Sequence, residues 1–213
     1  MESARKKISK VVCLWICLVT TLSSCSNAQE VTPSTSEFLK GKKVLIVYLS
    51  RTKNTKTIAE IIHQQVKGDL VALELKNPYP ENYQQIVAQV AKENEQGILP
   101  PLSTRIENIE KYDVVFLGFP TWGMQLPPPM KSFLTQNKFK GKIIVPFNTN
   151  AGYGIGSSFE KVKELIPESK VLDGFTMKGG IERDGILFVM EGEKKIEAER
   201  KVKEWLNKIS LSK

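Results

Sequence analysis

Cysteine and histidine are rare in this sequence. Its 213 residues include three cysteines, all within the first 25 positions, and one histidine, His63. The rest of the chain therefore has no thiol for catalysis, no disulfide and no cysteine metal site. A single histidine also excludes a histidine cluster around a metal ion. We interpret His63 as a surface or boundary residue of a helix.

Several familiar binding signatures are also missing. No G-x-x-x-x-G-K-[ST] or G-x-G-x-x-G spacing occurs, which excludes a Walker loop and a dinucleotide-binding turn. The net charge is +8, but the basic residues form no run of five or six and no aromatic residues are interleaved with them. Nucleic acid is therefore not an expected partner. We interpret the charge as solvated surface near anionic lipid.

The first 40 residues differ in character from the rest. Four basic residues among the first ten precede an apolar stretch over residues 11–22, which is too short to span a bilayer comfortably. Small residues follow it, so a signal peptide is predicted over residues 1–24; an uncleaved anchor is the alternative. Residues 25–40 are rich in Ser, Thr, Asn and Glu, which predicts a flexible tether before a domain at 41–213.

The end of the signal has a more specific pattern. Leu22-Ser23-Ser24-Cys25 resembles the lipobox of bacterial lipoproteins, in which the cysteine is acylated and becomes the first mature residue. The resemblance implies lipidation of Cys25 and an extracytoplasmic protein anchored to a membrane of the bacterial cell envelope. Several acyl chains on one residue hold a protein at a membrane durably.

Apolar runs alternate with amphipathic stretches from residue 43 onward. Predicted strands cover residues 43–49, 70–75, 113–118, 142–147 and 171–177. Helical stripes separate them, one opening at Pro127, one capped by Ser157 or Ser158, and one carrying Tyr83, Ile86, Val87 and Val90. The alternation predicts βαβ units around a parallel sheet, with ligands at the carboxyl ends of the strands. Residues 186–190 suit either an added strand or a continuation of the fifth.

A polar loop runs directly from the first predicted strand into the first predicted helix. It contains Ser50, Arg51, Thr52, Lys53, Asn54 and Thr55. Free N–H groups and the helix dipole at such a position both favour an anion, which predicts a phosphate site. The alternative is an ordinary polar turn with Asn54 as helix cap.

This loop resembles the phosphate loop of flavodoxins. Residues 46–55, IVYLSRTKNT, match a strand with an aromatic end that leads into Ser/Thr-x-Thr-Gly-Asn-Thr. The resemblance implies a flavodoxin-like three-layer α/β/α sandwich, a five-stranded parallel sheet in the order 2-1-3-4-5, and FMN with its phosphate in the 50–55 loop. Lys53 replaces the usual glycine, and a lysine does not readily adopt positive φ.

Two further loops follow the third and fourth predicted strands. Residues 118–128, GFPTWGMQLPP, resemble the Gly-aromatic-Pro-x-Trp segment of the family, which implies FMN contacts from Pro120, Thr121, Trp122 and Gly123. Residues 148–156, NTNAGYGIG, have glycines that allow close backbone approach, and we predict contacts from Thr149, Asn150, Ala151, Gly152 and Tyr153. The alternatives are a core tryptophan and an ordinary glycine-rich turn. The resemblance covers roughly residues 42–208.

Three functions are compatible with these patterns. The first is an electron-transfer flavodoxin that serves a redox partner protein through FMN and is tethered to a membrane. The second is an enzyme that takes hydride from NAD(P)H and reduces a quinone or other small acceptor. In both, the flavin carries the chemistry, and no loop side chain is an obvious general acid. The third is a flavodoxin fold without FMN that serves as a binding module. We favour the first.

Overall fold

The computed structural model describes residues 35–210, apart from the side chain of Ser36. The predicted signal peptide, Cys25 and residues 25–34 of the predicted tether lie outside the described residues. Residues 35–210 contain six strands: β1 (Val44–Tyr48), β2 (Asp69–Ala72), β3 (Val114–Pro120), β4 (Ile143–Asn150), β5 (Lys170–Val171) and β6 (Phe175–Lys178). Six α-helices accompany them: α1 (Thr35–Leu39), α2 (Asn54–Val66), α3 (Tyr83–Gln96), α4 (Pro128–Gln136), α5 (Ser158–Leu165) and α6 (Gly192–Ser210).

The strands form one parallel sheet in the order β2-β1-β3-β4-β5, so the predicted topology is confirmed. The central strands are buried on both faces because Val, Leu, Ile and Phe fill them. The predicted fifth strand is divided in two, and both β5 and β6 pair with β4. At the break, residues 172–174, the ring of Phe159 packs closely against Gly174. The backbone carbonyl of Asp173 accepts a hydrogen bond of 3.0 Å from the indole N–H of Trp205.

Helices cover both faces of the sheet. One apolar cluster joins β1, β3 and β4 to α1, α2 and α6; the other joins the opposite face to α4 and α5. The predicted α/β/α sandwich is therefore confirmed. Ser157 occupies the cap position of α5, as predicted, but its side chain makes no capping hydrogen bond.

The described part of the predicted tether contains a short helix. Residues 35–39 form the short helix α1, because Phe38 and Leu39 bring apolar surface that packs on the main core. The Thr35 hydroxyl donates to the amide oxygen of Asn207 in the last turn of α6. The helix α1 leads directly to the amino end of β1, so the chain enters the domain at the end of the sheet where the parallel strands begin.

The 179–190 segment, which includes the residues 186–190 that the sequence left open, contains a short 3-10 helix (Glu182–Asp184). Ile181 and Ile186 form an isolated antiparallel bridge, and residues 187–190 are irregular. Neither a full added strand nor a continuation of the fifth strand is present. The segment crosses above the carboxyl ends of the strands, where it contacts the 50–55 loop.

Candidate functional site

A cavity of about 630 Å³ opens at the carboxyl ends of β1, β3 and β4. This volume lies within the usual range for a small-molecule site. The three loops predicted from the sequence meet there. Twelve of the predicted contact residues line the cavity, namely Arg51, Thr52, Asn54, Thr55, Pro120, Thr121, Trp122, Gly123, Thr149, Asn150, Ala151 and Tyr153. Ser50, Lys53 and Gly152 stand beside the lining rather than in it.

The 50–55 loop has the conformation that a glycine would favour, although Lys53 stands at the critical position. Lys53 has φ 66° and ψ −8°, in the left-handed region, and its side chain is exposed. Within residues 35–210, the backbone N–H groups of residues 52–55 have no protein acceptor. Free donors at a helix start form an anion site. The loop thus adopts positive φ at position 53 with a lysine in place of glycine.

Lys53→Gly is expected to raise the free energy of unfolding by about 1 kcal/mol, because a non-glycine residue in the left-handed region is strained by about that amount. FMN affinity should stay the same or increase. Chemical denaturation and FMN titration of both proteins measure the two effects. A large loss of FMN affinity would show instead that the Lys53 ammonium is a phosphate ligand.

Hydroxyl groups connect the 50–55 loop to its surroundings. The Ser50 hydroxyl accepts a bond of 3.1 Å from the N–H of Lys56 in the first turn of α2. Thr55 and Thr149 share a buried hydroxyl contact of 2.8 Å, which joins the start of α2 to the end of β4. Two of the three loops are therefore fixed to each other by side chains that also line the cavity.

Two side chains that the resemblance implies as FMN contacts form hydrogen bonds with the 179–190 segment. Arg51 donates to the Glu182 carboxylate at 2.6 Å and to the carbonyls of Pro80 and Glu81. Asn54 is buried; its amide nitrogen donates to Thr52 and to the Leu187 carbonyl, and its oxygen accepts from the N–H of Val189. Their side chains thus hold the loops around the cavity, and the backbone supplies the free donors.

The second loop ends in a tight hairpin. The backbones of Trp122 and Gln125 exchange two hydrogen bonds, and Gly123 and Met124 between them have φ of 55° and 59°. Positive φ at both central positions defines a type I′ turn. The turn presents the half-buried indole of Trp122 to the cavity. Trp122 also packs against the second apolar cluster, so it borders both the cavity and the core.

The end of the third loop contacts the turn in the second loop. The N–H of Ser157 donates to the Met124 carbonyl at 3.0 Å, and a Cβ on Gly156 would fall 1.9 Å from that oxygen. The Asn150 side chain accepts bonds from the N–H groups of Gly152 and Gly154, which folds the loop back on itself. The glycine-rich sequence is thus needed for close contact between the loops.

Tyr153 is the most exposed aromatic side chain of the cavity, with 64% of its surface accessible. It lies close to the Arg183 guanidinium of the 179–190 segment. The Asp184 carboxylate, which accepts a hydrogen bond of 2.9 Å from Arg183, raises the pKa of Arg183, with a smaller contribution from Tyr153. Since Arg51 and Arg183 each have a carboxylate partner, the cavity wall is close to neutral at this end.

Helix α3 forms a wall that the sequence analysis did not predict. Its apolar stripe packs in neither core cluster, although Ile86 and Val90 are buried, and the helix contacts α4. The side chains along it line the cavity from one end to the other: Tyr83, Ile86, Val87, Val90, Ala91, Asn94 and Glu95. A helical stripe shows which face is apolar and not what covers it, so no sequence signal was available.

The residues fit FMN. The free N–H groups at the start of α2 suit a phosphate, and Trp122 and the α3 wall offer apolar surface to a flat ring. No described group of His, Cys, Asp or Glu is arranged to hold a metal ion. His63 lies away from the cavity, with its ring 3.1 Å from the Gly68 carbonyl, as expected for a surface or boundary residue.

The fold and the three loops define a flavodoxin-like flavoprotein scaffold. The chain belongs to the flavodoxin family, whose model matches residues 43–192. The resemblance inferred from the loops is thereby confirmed. None of the helices in residues 35–210 is both long and apolar enough to cross a membrane.

Solved structures include close matches in fold. A protein from Bacteroides eggerthii assigned as a flavoprotein is 28% identical, with a TM-score of 0.63 over 79% of this chain and 98% of that chain. A flavoprotein from Lactobacillus acidophilus in complex with FMN is 20% identical, with a TM-score of 0.55 over 64% of this chain and 93% of that chain. Among curated proteins, none matches the chain.

Proposed function

We propose that this protein binds FMN in the 630 Å³ cavity and transfers electrons through it. FMN is the cofactor favoured by the family and by the Lactobacillus acidophilus flavoprotein, which is in complex with it. Bound FMN supplies one- and two-electron redox chemistry. The protein supplies a phosphate site in the 50–55 loop, apolar surface at Trp122, and close backbone approach from residues 148–156.

The free N–H groups of residues 52–55 are the observation that carries this proposal. Four N–H groups at the start of α2 have no acceptor among residues 35–210, and a phosphate provides several charged oxygens for such donors. The position coincides with the phosphate loop that the sequence resembles. The cavity beside it has the aromatic and apolar walls that a flavin ring needs.

The purified protein should be yellow and should release FMN on denaturation. FMN should bind about 100-fold tighter than riboflavin, because riboflavin lacks the phosphate and loses charge-assisted hydrogen bonds of about 1.5–3 kcal/mol each. Fluorescence titration of the two flavins into protein freed of cofactor measures the ratio. A colourless protein that takes up no added FMN would contradict the proposal and would favour a binding module without FMN.

A reductase is the second candidate, and the α3 wall favours it. The apolar side chains of Tyr83, Val87 and Ala91 extend the cavity beyond the three loops, which provides surface for a small acceptor beside the flavin. Mixing FMN-loaded protein with NADH or NADPH without oxygen separates the two candidates. Rapid bleaching of the flavin supports the reductase, whereas inertness, with reduction by a chemical donor, supports a carrier that serves a partner protein.

The cellular setting forms a separate part of the proposal. Lipidation of Cys25 would tether the domain to a membrane of the bacterial cell envelope, and the basic charge suits an anionic lipid surface. Metabolic labelling with a radioactive fatty acid tests this, with Cys25→Ser as the matched control. Label retained in Cys25→Ser would contradict the lipoprotein assignment.

A further inference from the structure

Trp122 stands between two cavities. One is the 630 Å³ site; the other, of about 340 Å³, is lined by residues that follow β1 and β2, including Leu49, Leu73 and Leu75. Trp122 lines both. Close packing on all sides normally fixes a core side chain. Trp122 packs against the second apolar cluster with only part of its surface, so the part that borders the two cavities needs another restraint.

The restraint comes from Tyr79. Its ring meets Trp122 edge to face, with centroids 5.4 Å apart and planes at 90°. This is a favourable aromatic geometry. Tyr79 belongs to the connection between β2 and α3, and it also lines the second cavity. The position of the phenol ring therefore determines the space that Trp122 can occupy.

Tyr79 is itself held by a buried carboxylate. The Tyr79 hydroxyl donates to Oε2 of Glu93 on α3, and the other oxygen of Glu93 accepts from Gln89 at 2.8 Å. Glu93 is only 6% exposed, and no ion pair with it occurs among the described residues. Burial and the bond to Glu93 raise the pKa of Tyr79, so its hydroxyl remains protonated as a donor at neutral pH.

We propose that Tyr79 is a positioning residue, which uses its bond to Glu93 to hold the Trp122 indole at the boundary between the two cavities. The contact also connects α3, the apolar wall, to the second loop. Its relevance to FMN rests on the function proposed above. The placement of Trp122 in the protein without FMN does not depend on that function, which allows the two to be tested separately.

Tyr79→Phe removes one hydroxyl and retains the ring. Without the bond to Glu93 the ring is free to move, and Trp122 should become more accessible. We expect acrylamide to quench tryptophan fluorescence at least about twofold more strongly in the protein without FMN. The other tryptophans contribute equally to each variant, and Trp205 is only 8% exposed, so the difference reports on Trp122. FMN affinity should fall about tenfold.

Three further variants make the test specific. Glu93→Leu should reproduce the effect of Tyr79→Phe, whereas Glu93→Gln keeps an oxygen acceptor and should restore quenching close to the wild-type value. Tyr112→Phe is the matched control, because the Tyr112 hydroxyl also donates to a carboxylate, that of Asp69, but does not line either cavity. Tyr112→Phe should leave the quenching unchanged.

Two outcomes would overturn the proposal. One is quenching in Tyr79→Phe equal to that of the wild type; the other is an equal increase in Tyr112→Phe, which would indicate general loosening. If the wild-type protein binds no FMN, the proposed function fails, while the quenching results still decide whether Tyr79 positions Trp122.

Discussion

Gly156→Ala is expected to lower the free energy of unfolding by about 4 kcal/mol and to weaken FMN binding at least tenfold. The new methyl group would fall 1.9 Å from the Met124 carbonyl oxygen, and Gly156 has a φ of 55°. Steric overlap and left-handed strain contribute about 1–3 and 1–2 kcal/mol respectively. Since backbone must move, the hydrogen bond from Ser157 to Met124 should break and the second and third loops should separate.

Gly123→Ala is the matched control for stability. Gly123 has the same φ of 55°, but a Cβ there would meet nothing within 4 Å. Its cost should be the left-handed strain alone, about 1 kcal/mol. For a domain of this size, the difference of about 3 kcal/mol between the variants corresponds to about 6–12 °C in melting temperature. Equal melting temperatures would contradict the close contact at Gly156.

Asn54→Ala should release the 179–190 segment. The variant leaves the Val189 N–H and the Leu187 carbonyl without their side-chain partner. This loss should lower the free energy of unfolding by about 2 kcal/mol, because Asn54 is buried, with 3% of its surface exposed. The segment carries exposed Leu187 and Phe188, which are sites for chymotrypsin. We expect cleavage there to accelerate at least tenfold, as measured by limited proteolysis and mass spectrometry.

Asn137→Ala provides the comparison for this experiment. The Asn137 side chain also donates to a backbone carbonyl, that of Phe133, but it lies at the end of α4 and does not contact the 179–190 segment. It should lower stability slightly and leave cleavage at residues 187 and 188 unchanged. If cleavage accelerates equally in both variants, Asn54 has no specific role in holding the segment.

The sequence contained enough information for the sheet and for three of the loops around the cavity. Runs such as KVLIVYL and KIIVPF have the length and residue types of buried parallel strands, and the polar loops that follow them must meet at the carboxyl ends. Lys53 was the residue least compatible with the predicted loop conformation, because that conformation has positive φ. Its exposed side chain costs nothing in packing, so the loop adopts positive φ despite the lysine.

Other features depend on contacts that no local pattern contains. The bonds between Asn54 and residues 187–189 join positions more than 130 residues apart in the sequence. The apolar stripe of α3 can be recognised in the sequence, but the cavity that it lines cannot. The short α1 has five residues, too few for a recognisable period, and it is stabilised by the core it covers.

The position of Thr35 has a consequence for any surface to which the protein is attached. The α6 helix, with 19 residues, extends about 28 Å from the side of the 179–190 segment to the turn that binds Thr35. Thr35 therefore lies at the end of the sheet opposite the cavity, which opens at the carboxyl ends of the strands. An electrode coupled to the domain at position 35 would therefore leave the proposed FMN site facing the solution, where a diffusing donor or acceptor reaches it.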